Sequence, residues 1–424
     1  MNFLTKENPD RWHQLAWWLC VITLPWPAVT NNISLIFLTI LWLADGDFKL
    51  KWQRWKAAKW TLPFLLYYLI LLIGMLYTDD VSRGLVMLDK KIIFLAFPII
   101  IATGRTLTSE ALEFLKRSFV YSCSIVVLVC LVLAAYSFFH GDPVENFDIR
   151  TNEHFMFFHP GAWPIWPYFS YIQLAHWAGI HPGYLSMYLV FCMVILYTEN
   201  YRTRAEWIMS SILGFIIVCV LALLASRTAT LAFFCSVIYI LVRKNQEKQF
   251  KVYLPIVLSS ALLGFLLWLI PVAKFRVIEE PMITKYKADT TVTNWNSVSY
   301  RLLEWQGSLS VIRANWLAGV GTGGNGKAMA HFYEHYNGST LGLVLNAHNE
   351  YMQVWTESGL FGVISFLLCL TVGLFPLRND SSYGSFVIIF SLMCLTESMG
   401  EWQKGIAFFC LFQALFLGAE REKV

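Results

Sequence analysis

An arginine stands in the middle of one of the most apolar stretches of the chain. ALLASRTATLAFF sets Arg227 between Ser226 and Thr228, with almost unbroken hydrocarbon from Ile208 to Val242. A guanidinium inside a membrane span is costly, so it must face protein or water and find an anion. The cheapest solution is two spans joined by a hairpin whose tip brings Arg227 to the outer membrane boundary. There the flanking hydroxyls and the guanidinium form a cluster suited to a phosphate at headgroup depth. The plainer alternative is a snorkelling residue that only marks topology.

Two further residues have the chemistry to work with it. Arg301 lies in SYRLLEWQGSLSVIRANW, whose apolar positions recur at helical spacing. Glu304, three residues on, is placed to pair with it on a solvated face. His348 opens AHNEYMQVWTESGLFG, with Asn349 as a helix cap and Glu350 in the first helical turn. An imidazole at a membrane mouth titrates near neutrality and suits a general base for a sugar hydroxyl. The plainer alternative is an interfacial histidine without duty.

Other charged clusters leave alternatives open. TDDVSRGLVMLDKK carries Arg83, Lys90 and Lys91, which either extend an anion-binding surface or are balanced by Asp79, Asp80 and Asp89. LTESMGEWQKG carries Glu397 and Glu401, partners for basic groups of the site or parts of a polar turn. GTGGNGK (Gly321–Lys327) has P-loop spacing, but Ala328 replaces the Ser or Thr that would hold magnesium. Its glycines are better explained by positive φ or close backbone approach. HFYEH (His331, Glu334, His335) matches a metalloprotease spacing with no identifiable third ligand, so no metal site is assigned.

The elements that must hold these residues follow from composition. The chain has 424 residues, 57% hydrophobic and 14% charged, against about 25% charged in a soluble domain. Its mean hydropathy is +0.53. Such a chain cannot coat itself for water and is expected to be an all-α integral membrane protein. The net charge of +4, with basic residues scattered in short loops, gives no footprint for nucleic acid. All nine cysteines fall inside apolar stretches, which argues against disulfides or a cysteine zinc site.

Apolar runs of bilayer length lie near 14–29, 31–45, 61–77, 92–103, 118–139, 182–197, 207–225, 228–242, 253–271, 350–376, 385–398 and 405–418, giving about twelve expected spans. With the N-terminus inside, nineteen Lys and Arg fall on inner segments and six on short outer ones, so both termini are expected in the cytoplasm. No cleavable signal peptide, internal repeat or low-complexity tract is evident. A single membrane domain over 1–424 is expected, with two long outer segments. One, 140–181, is rich in aromatics and prolines suited to headgroup depth; the other, 272–349, is the only large polar stretch and the expected seat of chemistry.

SRTATLAFF, RLLEWQGSL with GVGTGGNG, HNEYMQVWTESGLFG and LTESMGEWQ, in this order, resemble the O-antigen ligase / O-antigen polymerase superfamily of bacterial envelopes over roughly 207–415. The resemblance implies a polytopic GT-C-type glycosyltransferase of the inner membrane with its site facing the periplasm. It implies transfer of a glycan from undecaprenyl diphosphate to a lipid A–core sugar, with no nucleotide or cofactor. On that basis Arg227 and Arg301, with Ser226 and Thr228, would hold the diphosphate, and His348 would take the acceptor's proton. Arg83, Lys90, Glu397 and Glu401 would be further members of the site. A polymerase joining lipid-linked repeat units and a protein O-oligosaccharyltransferase need the same diphosphate grip. A solute transporter would place polar breaks at mid-membrane, whereas here polar weight gathers at one face.

Overall fold

The computed structural model describes residues 11–105, 107–141, 165–199, 201, 203–246, 253–283, 297–335 and 346–420. Among them the regular structure is entirely helical. The principal helices are α1 (Arg11–Ile22), α2 (Ala28–Ala44), α3 (Phe48–Ala57), α4 (Leu62–Gly74), α5 (Val81–Lys91), α6 (Ile93–Thr103), α7 (Ser109–His140) and α8 (Pro182–Thr198). They continue with α9 (Arg204–Leu224), α10 (Arg227–Gln246), α11 (Tyr253–Leu269), α12 (Ser297–Ala314), α13 (Asn325–His335), α14 (Glu350–Thr371), α15 (Ser381–Met393) and α16 (Gln403–Glu420).

Two helices form the axis of the bundle. α8 buries every residue from Pro182 to Tyr197, and α16 is enclosed from Ile406 to Leu417. A helix apolar on all sides is stable only when other helices surround it. Between these two and their neighbours α7 and α15 the rings of Phe119, Phe191, Phe386 and Phe412 interlock, with Phe191 and Phe412 4.8 Å apart. The outer helices turn apolar side chains outward instead: Ile36, Leu69, Ile125, Phe215, Ile238 and Phe361 are all exposed. A continuous apolar exterior around an apolar core is a lipid-facing surface. The chain is a multi-pass membrane protein.

The span count differs from the twelve expected. α7, α9 and α14 are each long and apolar enough to cross a bilayer. Among the described residues, two bent pairs raise the total to five if each counts once: Phe48–Ala57 with Lys59–Gly74, bent by 81°, and Tyr253–Leu269 with Pro271–Met282, bent by 94°. The other apolar runs form shorter helices, among them Ala28–Ala44, Pro182–Thr198, Ser381–Met393 and Gln403–Ala419. Proline breaks account for part of the difference. α1 ends before Pro25 and Pro27, and the run at 92–103 gives a helix of 11 residues around Pro98. α8 and α16 are clothed in protein, so their length need not match a bilayer.

The glycine-rich segment after α12 is a packing wedge. Val320 N–H donates to Thr356 O (2.8 Å), Gly321 N–H to Glu357 O (3.0 Å) and Gly323 N–H to Thr78 Oγ1 (3.0 Å). These amides are spent on α14 and the α4–α5 turn, and Lys327 Nζ donates to Asp79 O (2.6 Å). A Cβ on Gly321, at φ +86°, would stand 2.7 Å from Gly74 O. Gly359, at φ +63° inside α14, lies so near Leu317 that a Cβ would be 2.1 Å from its carbonyl oxygen. Close backbone approach explains both positions.

Candidate active site

The expected hairpin is present. α9 starts in a capping box at Thr203 and Glu206 and ends at Ala225, whose φ of +46° reverses the chain. Ser226 then opens α10, its carbonyl accepting from Thr230 N–H (2.9 Å), and Arg227 is the first helical residue. At the same end of the bundle lie the start of α8, the segment Pro271–Ile283, the start of α12 and the end of α15. They enclose a cavity of about 270 Å³ lined by polar groups that include Arg227, Arg276, Arg301, His181, Thr396 and Glu397. Ser226 and Thr228 are in its wall as well.

Each guanidinium has a different setting. Arg227 Nε donates to Arg276 O, Nη1 to Ser297 Oγ (3.2 Å) and Nη2 to Glu280 Oε2. Glu280 also accepts from Ser297 Oγ (2.9 Å), which ties the hairpin tip to the start of α12. Arg301 Nη2 donates to Glu397 Oε1 (2.6 Å) and its Nε to Thr396 O (3.1 Å). Arg276 lies in a π-helical turn, Phe275–Glu279, and stacks 3.3 Å from the ring centre of Tyr171. The cavity thus brings together three guanidiniums with the carboxylates of Glu280 and Glu397.

His348 reaches this cavity through Glu397. Its Nδ1 lies 3.2 Å from Glu397 Oε2 and its Nε2 3.8 Å from Glu304 Oε1. A carboxylate can only accept, so Nδ1 carries the proton and the lone pair of the neutral ring sits on Nε2. The backbone is held at φ +40°, with His348 N–H donating to Asn346 Oδ1 (3.0 Å). Burial opposes the charged ring, but the bond to Glu397 and the charges of Glu304 and Glu397 outweigh it. The pKa of His348 therefore stands above the usual histidine value. Asn349 caps α14, Oδ1 accepting from Met352 N–H (3.0 Å), and its amide donates to Leu395 O (3.0 Å).

His181 was not anticipated. It caps α8, with Gly183 N–H donating to its Nδ1 at 3.2 Å, so its own proton sits on Nε2. Burial is the main influence here, and with Arg301, His348 and Arg276 nearby it lowers the pKa despite the pull of Glu397. Two histidines near one carboxylate thus hold opposite tautomers and opposite charge preferences.

Other expected members lie elsewhere. Arg83 is 3.6 Å from Glu401, and Lys90 Nζ donates to Glu401 O (3.3 Å). Lys91 is fully buried and donates to Glu357 Oε2 (2.9 Å), while Gln353 donates to both Glu357 (2.7 Å) and Glu401 (3.2 Å). Arg83, Lys90 and Glu401 are therefore joined in a neighbouring network, outside the cavity wall. The glutamates of distant segments meet these cations, whereas Asp80 caps α5 through Arg83 N–H (3.0 Å). Of HFYEH, the side chains of Glu334 and His335 lie outside the described residues.

Sequence reasoning passed over Arg276, Tyr171, His181, Ser297 and Glu280. Arg276 stands four residues before Glu280, a spacing that suggests a pair along one helix face. In three dimensions Glu280 goes to Arg227 instead. Tyr171 and His181 sit in the aromatic segment 140–181, where composition spoke for lipid headgroups and hid a contribution to the site.

Residues 212–367 match the family model described as O-antigen ligase. This span carries Arg227, Arg276, Arg301 and His348, whereas His181 and Glu397 lie beyond its two ends. No curated protein matches the chain.

Proposed function

Taking the O-antigen ligase domain at residues 212–367 as the premise, we propose that this protein transfers a glycan from undecaprenyl diphosphate to a sugar of lipid A–core. We place it in a bacterial inner membrane, with both termini cytoplasmic and the cavity at the periplasmic face. The observation that carries this reading is the meeting of Arg227 and Arg301, 74 positions apart in the chain, in one cavity at the end of an apolar bundle. A lipid-linked diphosphate has the complementary form: its tail belongs among lipid-facing helices and its charge at their end.

The chemistry follows from where charge develops. The acceptor hydroxyl attacks the anomeric carbon of the lipid-linked sugar, and the bond from that carbon to the diphosphate oxygen breaks with inversion. Negative charge grows on the departing diphosphate, where Arg227 and Arg301 stabilise it, with Ser226 and Thr228 as hydroxyl donors. His348 Nε2 accepts the hydroxyl proton while Glu397 holds Nδ1–H, the arrangement in which a carboxylate orients a histidine base. The energy comes from the sugar–diphosphate bond, so no nucleotide is consumed.

The test is reconstitution of the full chain with an undecaprenyl-diphosphate-linked glycan and lipid A–core. His348→Ala should lose transfer by about a hundredfold or more and still bind donor, since general-base catalysis contributes factors of that order. Arg227→Ala should weaken donor binding as well. Full transfer by either variant refutes its role, and glycan joined to a second lipid-linked unit in place of lipid A–core identifies a polymerase instead.

A further inference from the structure

Of the three guanidiniums in the cavity, Arg227 and Arg301 already have carboxylate partners, Glu280 and Glu397. Arg276 does not. It is only 4% exposed, yet its Nε and Nη1 have no hydrogen-bond partner among the described residues. Buried donors left unmet are expensive, and a guanidinium far more than an amide, so such a group marks where an anion is to come. The ring of Tyr171 lies under the guanidinium, with its centre 3.3 Å from the central carbon. The π-helical turn that carries it presents the Arg276 carbonyl to Arg227, so the two arginines are also linked through the backbone.

His181 adds a neutral donor to the same wall. Its Nδ1 is occupied by Gly183 N–H, which leaves Nε2–H as the polar edge still to be used. An arginine with Nε and Nη1 unpartnered among the described residues stands beside an imidazole N–H and the Ser226 hydroxyl, and the carboxylate in the same wall, Glu397, is already engaged by Arg301 and His348. That is the chemistry of a phosphoryl group.

We propose that Arg276, positioned by Tyr171 and assisted by His181 Nε2–H, binds one phosphoryl group of a diphosphate, and so makes the site select diphosphate over monophosphate. The inference rests on the donor reading above and adds to it a third cation, one with no carboxylate partner among the described residues. Arg227 and Arg301 must share their charge with Glu280 and Glu397, whereas Arg276 supplies a full positive charge to the ligand.

The experiment measures binding of undecaprenyl diphosphate and undecaprenyl monophosphate to the purified full chain, with inorganic pyrophosphate as competitor. The wild type should favour the diphosphate by about tenfold or more, the value of one charge-assisted fork. Arg276→Gln should lose that preference while its monophosphate affinity stays within about twofold; Arg276→Lys should restore only part, because an ammonium lacks the fork. Pyrophosphate should compete against wild type and far less against Arg276→Gln. A variant that keeps the full preference at an unchanged melting temperature overturns the proposal, as does pyrophosphate competing equally with both. Should Arg276→Gln fail to fold, full wild-type preference in Arg276→Lys overturns it in the same way. A wild type with no preference at all overturns the donor reading itself, and this inference with it.

Discussion

Glu397 is the residue on which the site's protons turn. One oxygen meets Arg301 at 2.6 Å and the other His348 at 3.2 Å. A base held by a carboxylate is stronger but needs higher pH to be free, so the proposed transfer should rise with pH through the raised pKa of His348, above its usual 6.5. Stability has the opposite slope. A histidine whose folded pKa is raised contributes stability that is complete below its unfolded pKa and is lost as pH climbs through the folded one. Glu397→Gln removes the anion that sustains the shift. Its pH–rate profile should move to lower pH, with the maximal rate reduced by about tenfold or more as Arg301 loses its partner. An unmoved profile in Glu397→Gln would show that His348 does not titrate in the rate-limiting step.

At the scale of elements, charged pairs buried between helices fix how the cavity end of the bundle is assembled. Lys91 closes α5 and reaches Glu357 in the middle of α14, both almost fully buried. Gln353 extends the link to Glu401, beside the cavity loop that carries Glu397. Removing one partner leaves a stranded charge, so Lys91→Ala should destabilise the protein by about 3–5 kcal/mol. The double variant Lys91→Met with Glu357→Gln should recover much of that, as read by melting in detergent. A Lys91→Ala protein that melts with wild type would show this pair to be idle. The helix cap at Asn349 and the hairpin reversal at Ala225 could be anticipated from sequence, because capping and reversal are local. The gift of Glu280 to Arg227 rather than to Arg276 could not, because it depends on a 94° bend that brings a distant segment over the hairpin tip.

At the scale of the molecule, the cavity stands at one end of the bundle. Arg117 with Glu199, and Arg243 with Asn379, stand at the other ends of the same helices. The proposed orientation puts that second set in the cytoplasm, as basic residues near span ends prefer. Labelling can check it, since the nine free cysteines are buried or half-buried, eight within helices and Cys394 just after α15. A cysteine at the exposed Trp316 should react with an impermeant maleimide in intact cells, and one at Lys244 only after the membrane is opened. The reverse pattern would place the cavity in the cytosol and remove the proposed donor from it.

Composition alone determined that the chain lives in a membrane and is helical, because 57% hydrophobic residues leave too little polar surface for water and lipid satisfies no backbone bond. Residue type and neighbourhood also singled out Arg227, since a charge costs so much in hydrocarbon that its presence demands a reason, and the family resemblance added Arg301 and His348. Which carboxylate each cation meets, the recruitment of Arg276, Tyr171 and His181, and the exclusion of Arg83, Lys90 and Glu401 from the cavity were settled only by tertiary structure. Ion pairs form across space between segments far apart in sequence, and helix spacing records only neighbours three or four residues away.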